Sequence, residues 1–355
     1  MHGSSNILVA AQVKKWIFNI AFFVIIIGLT IYFVLRGSDL SGAWDLLTSA
    51  NIYWCLVAVL LVILFIISES VIIAYLAHSL KISINFLHCI LYSFVGFFFS
   101  AITPSASGGQ PFQIVFMKRD GISISTSCAI LAIVTILYKT VLILVGALVF
   151  IFRPEPLMIL IAPHIGWYIL GLFLNVIFVS AMVVMVFKPR VIEVPVMAIF
   201  DFVNKIFKFK KADSKRERLC NGVHKYASVT ANFTASWRTL LVAFIMTLIQ
   251  RFFLFLVTYI AALALYQIHV NMPLVVSAQA MISVAVDMMP MPGGSGLAEF
   301  LFQRAFAPLV SRDILLPLLI LSRGIGYYTQ IIFGGIGTLA ALVVIRDKGK
   351  KEIKE

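Results

Sequence analysis

The stretch from Pro290 to Glu299, Pro-Met-Pro-Gly-Gly-Ser-Gly-Leu-Ala-Glu, interrupts apolar sequence that otherwise reads as one continuous membrane helix. Thr103 to Pro111, Thr-Pro-Ser-Ala-Ser-Gly-Gly-Gln-Pro, interrupts a second apolar segment in the same way, with the same Gly-Gly pair at its centre. Each unpaired backbone N–H or C=O costs several kcal/mol in hydrocarbon, so non-helical chain at membrane depth persists only inside protein or against a water-filled cavity. Pro removes a donor and Gly opens unusual dihedrals, so both residues oppose helix continuation. Two such breaks, in corresponding positions of two halves, point to a substrate site near the bilayer midplane.

The surrounding sequence fixes the class. Hydrophobic residues make up 61% of the chain and charged residues 12%, against roughly 45–50% and ~25% in soluble domains. This is the composition of an all-α polytopic membrane protein, read as a single integral membrane domain over residues 1–355. The net charge of +13 marks cytoplasmic loops and anionic headgroups rather than nucleic acid, because the sequence holds no soluble basic domain. Cys55, Cys89 and Cys128 lie in apolar segments and Cys220 in a basic loop, without CxxC spacing. They read as small hydrophobes, and neither metal nor redox chemistry is expected of them.

Spans of about 20 apolar residues read as transmembrane helices. Six are clear: Ile17 to Leu35, Tyr53 to Ala77, Ser123 to Phe152, Gly166 to Phe187, Leu240 to Leu265 and Leu315 to Ile345. The first is too long for a signal-peptide core and lacks a small-residue cleavage site. Two shorter apolar runs, Leu87 to Ile102 and Pro273 to Met289, end at the Gly-Gly breaks, and each is followed by a short apolar piece.

Orientation decides whether those broken runs cross. If both cross, the loop from Lys188 to Arg238, with eleven Lys/Arg against four acids, falls outside and violates the positive-inside bias. If both turn back as re-entrant hairpins, that loop becomes cytoplasmic together with Lys14, Lys15, Lys118, Arg119 and the tail after Ile345. The re-entrant arrangement is therefore preferred, with both termini cytoplasmic. Each half, 14–152 and 166–345, then makes three full crossings plus one Gly/Pro-broken hairpin, and an odd number of crossings inverts the second half. Spacing agrees with a repeat: Arg119 and Arg304 both lie ten residues after the second Gly of their break. Lys139 and Arg323 follow at 30 and 29 residues, while Glu69 precedes its break by 40 and Gln250-Arg251 precede theirs by 44 and 43.

Charges inside spans cost ~2.5–3.5 kcal/mol each on insertion scales and mark pathways or buried pairs. Here the set is Glu69, Lys139, Arg251, Asp287, Glu299 and Arg323, with Arg119 and Arg304 near hairpin ends. Cations outnumber anions by five to three, which beside half-helix N-termini suits an anionic group. With Gly108, Gly109, Gln110, Gly293, Gly294 and Ser295 of the breaks, these residues form the candidate substrate-binding set. Structural readings stand beside the functional ones. Glu69 is either a ligand or half of a buried ion pair, Lys139 and Arg323 either line a site or snorkel, and Asp287 and Glu299 either face substrate or cap backbone N–H groups. Arg119 and Arg304 alternatively anchor hairpin ends, and Gly334, Gly335 and Gly337 read as close-packing glycines. Phe200, Phe202, Ile206, Phe207 and Phe209 among the charges of the basic loop fit an amphipathic segment on an anionic leaflet, or a solvated loop that only sets topology. No Walker motif, HExxH, GxSxG or Ser/His/Asp set occurs, so neither ATP-driven transport nor hydrolysis has local support, and no cofactor is implied.

The stretches Ser100 to Gln113 (SAITPSASGGQPFQ) and Pro290 to Glu299 (PMPGGSGLAE) resemble signatures of the flippase-like membrane domain of lysylphosphatidylglycerol synthases, the multiple peptide resistance factors. The resemblance covers nearly the whole chain. It implies a lipid-translocating or lipid-handling domain whose polar residues at the breaks form a headgroup cavity. In those proteins a cytosolic aminoacyl-transferase domain follows, whereas this sequence ends at Glu355, so aminoacyl-lipid synthesis by this polypeptide alone is not expected. The reading that the resemblance supports is a flippase of a prokaryotic inner membrane, acting on phospholipid-type lipids with anionic or aminoacylated headgroups. The alternatives are a lipid-presenting subunit for a separate lipid-modifying enzyme, or an intramembrane lipid-modifying enzyme using Glu69 or Glu299 as base. A homo-oligomer is compatible with any of these, and neutralising Lys139 or Arg323 is expected to abolish lipid movement without unfolding the protein.

Overall fold

The structure is a computed structural model that describes residues 40–103, 106–188, 190–207, 212–266, 270–291, 294 and 296–345. Lys14, Lys15, the span Ile17 to Leu35, Gly293, Ser295 and the tail after Ile345 lie outside the described residues. Among those described, every regular element is helical. In chain order these are α1 (Leu40–Thr48), α2 (Ile52–Ser79), α3 (Phe86–Ile102), α4 (Gly109–Arg119), α5 (Ile124–Phe152), α6 (Glu155–Ile161) and α7 (Ile165–Phe187). They continue as α8 (Arg190–Phe207), α9 (Ala212–Ala235), α10 (Trp237–Ala264), α11 (Met272–Val286), α12 (Leu297–Phe306), α13 (Arg312–Arg323) and α14 (Thr329–Val344).

Five helical runs are long and apolar enough to cross a membrane: α2, α5, the run Glu155–Phe187 through α6 and α7, α10, and the run Arg312–Val344 through α13 and α14. They coincide with the five sequence-read spans that fall in the described residues, and the chain is a multi-pass membrane protein. Large side chains such as Leu60, Ile177, Ile249 and Leu339 stand exposed on these helices, as the lipid-facing side of a bundle requires. The interrupted helices are shorter. At ~1.5 Å per residue the 17 residues of α3 and 15 of α11 fall short of the ~30 Å hydrocarbon core.

Helix starts follow local chemistry. Asn51, Asn85 and Asn271 sit in extended backbone and accept from the N–H groups of Tyr53, Leu87 and Leu274; Ser123 does the same for Thr126 at 3.2 Å. Each such cap satisfies a donor that the first helical turn leaves open.

At the first break the chain doubles back, so that α4 runs along α3. Phe99 stacks on Phe112 with centroids 3.5 Å apart, and at the far end His88 and Tyr92 both reach the Asp120 carboxylate at 2.6 Å. Small residues allow the approach: a Cβ on Gly109 would lie 2.1 Å from Ser100 Oγ and 2.6 Å from the Gly96 carbonyl oxygen. Inside the break, Thr103 Oγ1 accepts from Gly108 N at 2.9 Å and donates to Phe99 O at 2.6 Å, re-pairing backbone that the helix leaves open.

Two apolar clusters mark the poles of the bundle. One gathers Ala77, Cys89, Met117, Ile122, Phe233, Ala243 and Ile345, and thus holds the start of α3 and the end of α4 together. The other gathers Val149, Leu157, Leu265, Val275, Phe306 and Val310, with the start of α11 and the end of α12. Between them α2 and α10 pair antiparallel: Asn51 N donates to Ala264 O at 2.8 Å and Gln250 Nε2 to Phe65 O at 3.2 Å. Gly334 and Gly337 let α14 close on Phe94 and Phe98 of α3, as the small-residue pattern predicts.

The stretch read as a basic loop, 188–238, is largely helical, forming α8 and α9. Periodicity in α8 buries Met197 and Phe200, while Val191, Val194, Ile199 and Phe202 form an exposed apolar stripe. Next to α8, α9 is anchored on α5 by Ser125, whose hydroxyl donates to Gly222 O at 2.8 Å.

Candidate functional site

A cavity of about 590 Å³ lies between the poles, bounded by α2, α3, α4, α5, α7, α10, α11 and the α13–α14 run. Both breaks reach it, through Ala106, Ser107 and Gln110 on one side and Met291 and Gly294 on the other. Gly294 needs its glycine: its φ of +67° lies in the left-handed region, and a Cβ there would approach Val286 Cβ to 2.9 Å.

Most of the intramembrane charges converge here, and the structure says which meets which. Lys139 on α5 pairs with Asp287, just past the end of α11, and both side chains are 9% exposed. Its ammonium lies 3.1 Å from Met288 Sδ and near the rings of Tyr138 and Phe178. Lys139 therefore does not snorkel; it ties the closing helix of the first half to the break of the second. Arg323, at the end of α13, donates from Nε and Nη2 to Glu299 Oε1 at 2.9 and 2.8 Å. The other Glu299 oxygen accepts from Gly296 N at 2.5 Å, so Glu299 caps α12 and holds Arg323 at once. The capping reading of that residue is the one seen.

Directly after Arg323 the helix widens into a π-helical turn, Gly324–Tyr328, a feature that recurs at functional positions. Tyr327 in this turn donates to Ala101 O at 2.7 Å, across to the first break. The two closing helices thus each reach the opposite half's break, one through Lys139 and one through Tyr327.

Glu69 and Arg251 complete the charged set. Glu69 Oε1 accepts from Gln113 Nε2 at 2.8 Å; this is why Gln113 closes over Gly96, where a Cβ would come within 2.3 Å of it. Arg251 is 9% exposed, and its guanidinium lies 3.4 Å from the Tyr138 ring centroid and 5.0 Å from that of Phe65. It takes part in no hydrogen bond and no ion pair among the described residues, and its Nε is buried without a partner.

Other candidates lie elsewhere. Neither Arg119 nor Arg304 lines the cavity; they lie over Phe116 and Phe300, on the helical pieces after the breaks, and Arg304 is exposed. Gly108 and Gly109 serve close packing of α3 and α4 rather than the lining, whereas Gln110 lines the cavity and donates to Thr135 Oγ1. With the two distal arginines removed, the surplus of positive charge expected from sequence disappears: Lys139, Arg251 and Arg323 face Glu69, Asp287 and Glu299. Sequence reasoning missed Gln113, Thr135, Thr258, Gln279 and Ser283, neutral polar residues of the wall, whose only signal is their rarity in apolar helices.

Away from the cavity, α8 brings Glu193 against Cys220 and His224 of α9, with one ligand atom from each within 4.8 Å of the others. A thiolate, an imidazole and a carboxylate so arranged could hold a cation such as Zn²⁺. No local spacing in the sequence reveals this meeting.

Comparison with known proteins gives a consistent picture. Residues 16–334 match the family model described as the lysylphosphatidylglycerol synthase TM region. A UPF0104 membrane protein of Archaeoglobus fulgidus is 25% identical over 320 residues, covering 87% of this chain and 93% of its relative.

Proposed function

Because the chain belongs to the family of the lysylphosphatidylglycerol synthase transmembrane region, whose setting is the membrane and its lipids, we propose that it moves phospholipid-type lipids between leaflets. The headgroup passes through the central cavity while the acyl chains stay in the bilayer. The observation that carries this reading is the cavity itself: about 590 Å³, within the range of small-molecule sites, walled by paired charges and by both helix breaks. A space of this size suits a headgroup and excludes two acyl chains.

Alternating access from two inverted halves is the second part of the proposal. In an inverted repeat, equivalent helices run antiparallel, and the pairing of α2 with α10 fits. The interrupted segments fit as re-entrant hairpins entering from opposite sides, since the ends of α3–α4 share one pole and those of α11–α12 the other. The basic α8–α9 side is taken as cytoplasmic. Lys139 and Arg323 exchange their carboxylate partners for a headgroup phosphate during passage, which makes the protein a transporter rather than an enzyme.

The test is translocation of fluorescent phospholipids in proteoliposomes. Arg323→Gln, whose side chain is 29% exposed against 9% for Glu299, leaves that carboxylate an amide donor and the Gly296 N–H, and should lose translocation while staying monodisperse. Unchanged translocation in Arg323→Gln would contradict the role given to this residue.

A further inference from the structure

The charge arrangement of the cavity selects among headgroups. Three of its five ionic side chains are paired, Lys139 with Asp287 and Arg323 with Glu299 at the cavity's edge. The remaining two are not joined to each other by an ion pair: Arg251 has no hydrogen-bond partner among the described residues, and Glu69 is held only by the neutral Gln113 amide. Both line the same cavity.

A guanidinium whose Nε is buried without an acceptor is costly. Contact with Tyr138 and Phe65 offsets part of the lost hydration, but aromatic faces supply no acceptor for its N–H fork, and burial of an unpaired charge costs several kcal/mol. An anion that accepts from the fork removes that cost, and phosphate oxygens fit it bidentately. Glu69 is the complementary element, an acceptor-only carboxylate on the neighbouring helix α2, one turn from Phe65, over whose ring the Arg251 guanidinium lies at 5.0 Å.

We propose that Arg251 and Glu69 form a bipolar subsite for a net-neutral zwitterion, a phosphate monoanion joined by a short linker to a primary ammonium, as in an ethanolamine-type phospholipid headgroup. Arg251 takes the phosphate and Glu69 the ammonium, with Gln113 holding the carboxylate toward it. A headgroup with phosphate and no ammonium leaves Glu69 facing an anion, which repels it; one with surplus positive charge leaves a cation unmatched. This assignment rests on the headgroup-cavity reading but makes a separate claim about which headgroup fits.

The experiment is thermal protection of the purified full chain in detergent by short-chain phosphatidylethanolamine, phosphatidylglycerol and phosphatidic acid, and by free phosphoethanolamine. The ethanolamine lipid should protect at concentrations about tenfold or more below the other two, the scale of one charge-assisted hydrogen bond. Glu69→Gln should erase the preference for ethanolamine over glycerol while retaining binding of both. Arg251→Gln should lose protection by every lipid, and Arg251→Lys, which keeps charge without the fork, should weaken it. Equal protection of the wild type by phosphatidylglycerol, or a Glu69→Gln protein that still discriminates, overturns the subsite whatever a translocation assay gives. Protection by the ethanolamine lipid without translocation in proteoliposomes overturns the transport reading instead and leaves the subsite standing. Protection by free phosphoethanolamine equal to that by the lipid upholds the bipolar chemistry and assigns its ligand to a soluble zwitterion.

Discussion

Lys139→Met offers the clearest energetic test of the cavity. Met keeps the length of the lysine stem and its packing near Tyr138 and Phe178, but leaves the Asp287 carboxylate, 9% exposed, with no cation. Breaking one side of a buried pair costs about 3–5 kcal/mol because the stranded charge has lost its solvent and its partner. Asp287→Leu strands the ammonium at similar cost. The double variant removes both charges and should lie within about 1–2 kcal/mol of wild type, since an apolar replacement of a whole buried pair is often neutral. The cycle should therefore give a coupling energy above about 3 kcal/mol, measured by reversible unfolding in mixed micelles. Single variants each within about 0.5 kcal/mol of wild type, with an additive double, would refute the claim that this pair is desolvated. The same argument amends the sequence-based expectation for Lys139: neutralising it alone should impair folding as well as transport, whereas at Arg323 the equally buried Glu299 keeps the Gly296 N–H and an amide from Gln, so transport is better tested there.

Other consequences can be checked separately. Gly109→Ala forces a Cβ to 2.6 Å from the Gly96 carbonyl oxygen, so it should destabilise the α3–α4 pair by about 1–3 kcal/mol; Ser100→Gly should not rescue it, because the backbone clash remains, and a melting series reads both. In a re-entrant arrangement, cysteines at Lys81 and Gly121 should label from one side of the membrane and cysteines at Asn271 and Ala307 from the other. Labelling of Lys81 and Gly121 from opposite sides would show that the first broken segment crosses. A Trp at Phe202, on the exposed apolar stripe of α8, should be quenched by shallow spin-labelled lipids, as expected of an interfacial helix, whereas one at Arg216, which is exposed on α9, should not.

Much of this molecule is legible in its sequence because lipid leaves few options. Apolar length alone located α2, α5, α7, α10 and the α13–α14 run, and the cost of bare backbone singled out the two breaks. Charges in hydrocarbon are so costly that Glu69, Lys139, Arg251, Asp287, Glu299 and Arg323 identified themselves, and five of them line the cavity while Glu299 holds Arg323 at its edge. Arg119 and Arg304 misled because equal spacing from a break carries no depth: ten helical residues extend ~15 Å along the axis, enough to leave the midplane. Partner choice was hidden as well, since Lys139 finds its carboxylate 148 positions away in the other half. The helices of 188–238 were obscured by composition. With its many charges, α9 reads as solvated chain, and its anchoring on α5 depends on contacts such as Ser125 with Gly222.

The central claim is that a headgroup passes through this cavity. It is tested most directly in a variant lacking the four native cysteines and carrying Ser283→Cys on the cavity wall, reconstituted with fluorescent ethanolamine-type phospholipid. Unmodified protein should translocate the lipid, a bulky methanethiosulfonate should stop it, and reduction of the mixed disulfide should restore it. Translocation that continues at the same rate after complete modification, or that never exceeds protein-free vesicles with or without an imposed ion gradient, would contradict the account.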